Sequence, residues 1–159
     1  MYLLNPQADD LIIDFFCGLG NFTLPIATYG AKVLGIEGDS ILVESANTNA
    51  KKNALNSKAI FKKMDLFKIS EDELTSLGKA SKWLIDPPRD GAFDLINSLN
   101  KCNQPNIICY ISCNPASLAR DANLLINEKG YRFSKAGILN MFPHTSHVES
   151  IALFEIDEI

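Results

Sequence analysis

Short apolar runs punctuate the chain, each followed by a turn signal and then a stretch of helical character. Residues 11–16 (LIIDFF) form a near-continuous apolar run of the kind that a parallel strand buried on both faces requires. Similar runs at 32–36, 59–64, 82–85 and 107–112 predict four more strands. Between them, residues 24–30 read as a short helix closed by Gly30, and 40–53 as a longer, moderately amphipathic one. Ser70 followed by Glu73 is a capping box that opens an acidic helix. A further helix is expected over 93–100, and another over 116–126, with Asn114 as its cap, Pro115 at its first position and Gly130 at its end. Residues 131–140 and 151–156 read as closing strands joined by the loop FPHTSHVE, with no helix between them. Strand–helix alternation predicts an α/β fold, a Rossmann-like, doubly wound and mostly parallel sheet. The closing hairpin adds one antiparallel strand near the C-terminus.

Composition narrows the classes. At 159 residues the chain is long enough for one domain with its own core. Its 47% hydrophobic and 21% charged content is that of a globular protein. No apolar run approaches the ~20 residues of a membrane span, and no secretory signal pattern is expected. Cys17, Cys102, Cys109 and Cys113 form no CxxC pair and no metal-like cluster with His144 and His147, so no metal site is expected. Reduced thiols of this kind suit a cytoplasmic protein. The net charge of −4 argues against an extensive phosphate grip by this chain itself. Either it binds no nucleic acid or the main grip lies elsewhere. The lysines at 51, 52, 58, 62 and 63 read as a solvated face.

Candidate chemistry clusters where strands end. Gly18 and Gly20 follow the first strand, where glycine permits a tight turn and close approach to a ligand. Thr23 stands where a dinucleotide fingerprint would want a third small residue. Glu37 ends the second strand, placed to accept from both hydroxyls of a ribose. That suits an adenosine cofactor generally, either a nicotinamide dinucleotide or S-adenosylmethionine. Asp65 ends the third strand, within reach of an adenine amino group or acting as a loop cap. Asp86-Pro87-Pro88 ends the fourth on a rigid ledge without backbone donors, which favours S-adenosylmethionine. Arg89 follows, where enzymes that methylate an exocyclic amine carry an aromatic. Cys113 lies between the fifth strand and a helix N-terminus, a setting that lowers a thiol pKa. It is either a nucleophile or an inert buried thiol.

Taken together, DFFCGLGNFTLPIA, GIEGD, LIDPPRDGA, YISCNPASLARD and MFPHTSHVESIALF resemble the RNA 5-methyluridine methyltransferases, most closely their bacterial 23S rRNA branch. The resemblance spans nearly the whole chain. It implies a class I methyltransferase catalytic domain over residues 1–159 that uses S-adenosyl-L-methionine. It places the cofactor contacts on Phe16, Asn21, Glu37, Asp65 and Asp86, the nucleophile on Cys113 and the general base on Glu149. It further implies an RNA partner, 23S rRNA or alternatively tRNA. The domain would then be the C-terminal part of a larger protein, whose upstream region carries the RNA-binding domain and in this branch often an iron–sulfur cluster. Two rival readings are a nicotinamide-dependent oxidoreductase on the same fold and a cofactor-binding module inactive without its RNA-binding region. For Glu149 itself, a surface charge or an ion-pair partner of Arg120 or Arg132 is the competing role.

Overall fold

The computed structural model describes residues 1–139 and 148–156. His144, His147 and most of the FPHTSHVE loop lie outside them. Five strands follow in order: β1 (Leu11–Phe15), β2 (Lys32–Glu37), β3 (Ala59–Lys63), β4 (Lys82–Ile85) and β5 (Ile107–Ser112). The helices between and after them are α1 (Thr23–Ala27), α2 (Ser40–Lys52), α3 (Glu71–Thr75), α4 (Phe93–Asn97) and α5 (Pro115–Asn127). Strands β6 (Arg132–Leu139) and β7 (Glu149–Glu155) close the chain. The sheet order is β3-β2-β1-β4-β5-β7-β6. β7 slots between β5 and β6 and runs antiparallel to both, while β1 to β5 pair parallel. The expected single antiparallel strand is therefore β7.

Alternation along each strand divides the core into two layers. Ile13, Phe15, Trp83, Ile85, Ile108, Tyr110 and Phe154 point to the face covered by α3, α4 and α5. Ile12, Val33, Leu84, Cys109 and Leu153 point to the other, where α1 and α2 pack over β2 and β3. Local signals set the helix starts as the sequence predicts. Ser70 and Glu73 form the reciprocal capping box of α3. The Asn114 side chain accepts from the Ala116 N–H with Pro115 at the first helical position of α5. Asp39, unremarked in the sequence, caps α2 by accepting from Ile41 and Leu42. At the amino ends of the strands, the Lys82 ammonium bonds Asp10 at 2.6 Å and the Asn5 carbonyl at 2.7 Å. That pins the leading segment to β4 and leaves the carboxyl ends to other work.

Candidate active site

Parallel strands bring their carboxyl ends to one edge, and because β7 is reversed, its first residue reaches the same edge. Glu149 is that first residue, so it belongs to the strand rather than to the loop before it. The edge has two corners.

The first is built on β1, β2 and β3. The backbone at Phe16 turns through φ +63°, and the Cys17 N–H donates to the Ile36 carbonyl at 3.0 Å. Gly18 follows at φ +54°, and no atom lies within 4 Å of where a side chain would begin. The Glu37 carboxylate accepts from the Gly18 N–H and the Asp39 N–H, both at 3.0 Å. One acid thus braces the glycine turn and the entry to α2. A carboxylate offers about four lone-pair sites, so acceptor capacity remains for a diol. Asp65 is exposed and accepts from the Phe67 N–H at 3.0 Å, fixing a turn after β3. That turn sets the Phe67 ring 5.5 Å from the Phe16 ring, so Phe16 and Asp65 meet through a residue the sequence reading passed over. Asn21 is exposed and lines a separate groove with Leu24, Pro25 and Asn49.

The second corner is built on β4, β5 and β7. Asp86 donates its backbone N–H to the Phe15 carbonyl at 3.3 Å, and Pro87 behind it is buried. Asp86 and Glu149 share a cavity of about 540 Å³ whose walls include Phe22, Leu84, Cys109 and Ile111. Desolvation, then the negative charge of Glu149, pushes the Asp86 carboxyl up to about 6. The last printed pair of the β5–β7 ladder is Ser112 with Ser150. Cys113 follows Ser112 directly and Glu149 precedes Ser150 directly, so both stand at the end of that ladder. Cys113 is half-buried, between the strand end and the Asn114 cap. Arg120 bonds Asp121, and Arg132 bonds Glu155 at 2.6 Å.

The other buried thiols are poor nucleophiles. Burial pushes Cys109 up to about 11, and burial together with the nearby Asp14 and Glu37 charges raises Cys17 further. Among the described residues no three His, Cys, Asp or Glu side chains gather as metal ligands.

Asp14 joins the two corners. It is fully buried, accepts the Thr23 hydroxyl on one oxygen, and has no hydrogen-bond partner for the other. Burial pushes its carboxyl up to about 7 against the Thr23 bond, with Asp86 and Glu37 adding repulsion. A single acid inside the apolar run LIIDFF was the available signal. Thr23, which departs from the dinucleotide fingerprint, is the residue that holds it.

An open, mostly parallel α/β sheet of order β3-β2-β1-β4-β5-β7-β6, with a glycine turn and a strand-end acid beside it, has the layout of a Rossmann-like methyltransferase. Comparison with known proteins gives the family. Residues 1–156 match the tRNA (uracil-5-)-methyltransferase family, and the chain belongs to it. It is 51% identical over 98% of its length to the 23S rRNA (uracil(1939)-C(5))-methyltransferase RlmD of Ralstonia pickettii, and 55% identical over 98% to that of Azoarcus sp.. In each case it spans 36% of the relative, about a third of its length. Among solved structures, the tRNA (uracil-54, C5)-methyltransferase of Pyrococcus abyssi, in complex with S-adenosyl-L-homocysteine, superposes with a TM-score of 0.80 at 31% identity. That match covers 96% of this chain and 35% of the other. Magnesium protoporphyrin IX methyltransferase from Synechocystis shares the fold alone, at 18% identity and TM-score 0.71.

Proposed function

We propose that this chain is the catalytic domain of an RNA (uracil-C5)-methyltransferase that uses S-adenosyl-L-methionine and acts on 23S rRNA in the cytoplasm. The observation that supports the reading is the end of the β5–β7 ladder at Ser112 and Ser150, where Cys113 and Glu149 are the next residues and Glu149 lines the cavity that Asp86 enters. The residues present fit the cofactor. Gly18 leaves open space over the turn, Glu37 has acceptor capacity for a ribose diol, and Phe16 and Asp65 flank that corner through Phe67. We assign Asp86 from the neighbouring corner and Asn21 from the adjoining groove as the remaining contacts. When bound, the cofactor supplies a methyl group made electrophilic by its sulfonium.

Carbon 5 of uracil is a weak nucleophile, and the chain's own residues correct that. The Cys113 thiolate adds to carbon 6 of a uridine turned out of its stack, forming an S–C bond and moving an electron pair toward carbon 5. Once carbon 5 carries its methyl group, Glu149 removes the remaining proton there. The carbon 5–carbon 6 double bond re-forms and the thiolate leaves. Asp86 lines the same cavity, where desolvation and then the Glu149 charge hold its carboxyl above the usual range.

Relatives about 50% identical are named for 23S rRNA, whereas the family description and the Pyrococcus structure are named for tRNA. The rRNA reading rests on those closer relatives. Incubation with labelled cofactor and either an rRNA or a tRNA fragment, followed by nucleoside analysis, tests it. The expected product is 5-methyluridine from the rRNA fragment. Calorimetry with S-adenosylmethionine and with a nicotinamide dinucleotide separates this reading from an oxidoreductase, and heat from the dinucleotide alone would reject it.

A further inference from the structure

Two of the motifs run on past the residues this chemistry uses: Arg89-Asp90-Gly91-Ala92 after the Asp86 ledge, and Arg120-Asp121 late in the stretch that begins at Cys113. They meet in the fold. Asp121, on α5, is fully buried. One of its oxygens accepts from the Ala92 backbone N–H at 2.7 Å and the Tyr110 hydroxyl at 2.6 Å. The other accepts from Arg120 Nε at 2.8 Å, with a second guanidinium nitrogen at 2.7 Å. With donors on both oxygens, the charge is satisfied without water. Arg120 also donates to the Asp90 carbonyl at 2.8 Å and lies 5.4 Å from the centre of the Phe93 ring. A further tether runs from the Asn114 side-chain amide to the Arg89 carbonyl at 2.9 Å.

The loop has no slack. Gly91 holds φ +81°, and a side-chain carbon there would stand 2.6 Å from Arg120 and 2.7 Å from Asp121. Only glycine lets the backbone press onto the carboxylate this closely. Residues 89–92 are therefore tied to α5 at its cap, the residue that follows Cys113, and again nearly two turns along.

We propose that Asp121 is a positioning residue that clamps the loop of residues 89–92 onto α5, making that loop a fixed wall beside the Cys113 thiol. Its meaning for catalysis rests on Cys113 being the nucleophile. Its test does not, because thiol access is read without turnover. The chain and its Asp121→Asn and Arg120→Gln variants are alkylated with iodoacetamide, and the rate at each cysteine is followed by peptide mass spectrometry. An amide at 121 cannot accept on both sides, so the loop should loosen. Cys113 should then react at least fivefold faster in Asp121→Asn and about threefold faster in Arg120→Gln. Cys17 and Cys109, both buried, should stay within twofold of the parent, and the exposed Cys102 reports reagent strength. An unchanged Cys113 rate in the folded variants overturns the clamp. So does a rise matched by Cys17 and Cys109, which marks general loosening. If Asp121→Asn does not fold, Arg120→Gln decides, because its guanidinium is half exposed and its loss spares the buried carboxylate's other bonds. Failure to form 5-methyluridine would count against the proposed function and leave this result standing.

Discussion

The two corners of the strand-end edge are held together in opposite ways. On the β1–β2–β3 side each acid already has backbone donors. Glu37 accepts from Gly18 and Asp39, Asp65 from Phe67, and Asp39 from the first turn of α2. These partners lie close in sequence or one strand away, and the result is a rigid shape with acceptors to spare. On the β4–β5–β7 side the groups come from distant parts of the chain and strain against one another. Asp86 and Glu149 share a cavity and repel, and Cys113 and Glu149 come to the same end of the β5–β7 ladder from positions far apart in the chain. A corner satisfied in advance suits binding, because little ordering is left for the ligand to drive. A corner with one raised carboxyl, a second acid beside it and a half-buried thiol has the marks of a site for chemistry.

The sharpest way to break this division is Cys113→Ala. If the corners are separate, 5-methyluridine formation falls by at least ~1,000-fold while the cofactor dissociation constant from calorimetry stays within about threefold. A joint loss of both would show one site rather than two. Next in size is Glu149→Gln, for which steady-state turnover should fall by roughly 100-fold, in the range of a lost general base. The complementary change, Glu37→Ala, removes charge-assisted hydrogen bonds worth about 1.5–3 kcal/mol each. It should weaken cofactor binding by roughly 10- to 100-fold and leave the rate of Cys113 alkylation untouched.

The smallest expected effect is on pH and stability, and it concerns Asp14 between the corners. Its carboxyl is raised from 3.8 to about 7, so the fold favours the protonated form. That contribution is complete below the unfolded value and is lost as pH rises through about 7. Thermal stability should therefore decline between roughly pH 4 and pH 7, with Asp86, raised to about 6, adding to the lower part of that window. Asp14→Asn should flatten the decline by a few degrees when melting is compared at about pH 5 and about pH 8. An equal slope in the variant would mean that Asp14 is already ionised in the fold.

Much of this was legible in the chain. β4 and β5 fall on the expected residues, and the Ser70–Glu73 box and the Asn114-Pro115 start of α5 are local patterns that packing had no reason to override. What local pattern cannot carry is the insertion of β7 between β5 and β6. A hairpin reading gives two adjacent antiparallel strands and does not say which one meets β5. That choice moves Glu149 from a loop expected before the strand to its first position, at the end of the ladder with β5. Asp121 was hidden for a similar reason. Its donors come from β5, from the start of α4 and from its own neighbour, so nothing in the stretch around it announces a hub. Phe67 escaped because its link to Phe16 exists only once β1 and β3 end at the same edge of the sheet, across β2.

The pairing of Cys113 with Glu149 is the centre of the account, and trapping tests it most directly. Glu149→Gln, incubated with cofactor and uridine-containing rRNA fragment, is resolved on a denaturing gel, and the shifted band is digested and weighed by mass spectrometry. The expected result is a methylated uridine attached through sulfur to the peptide containing Cys113, stalled because its carbon 5 proton has nowhere to go. An adduct on another cysteine, or methylated RNA released freely with no adduct, would contradict it.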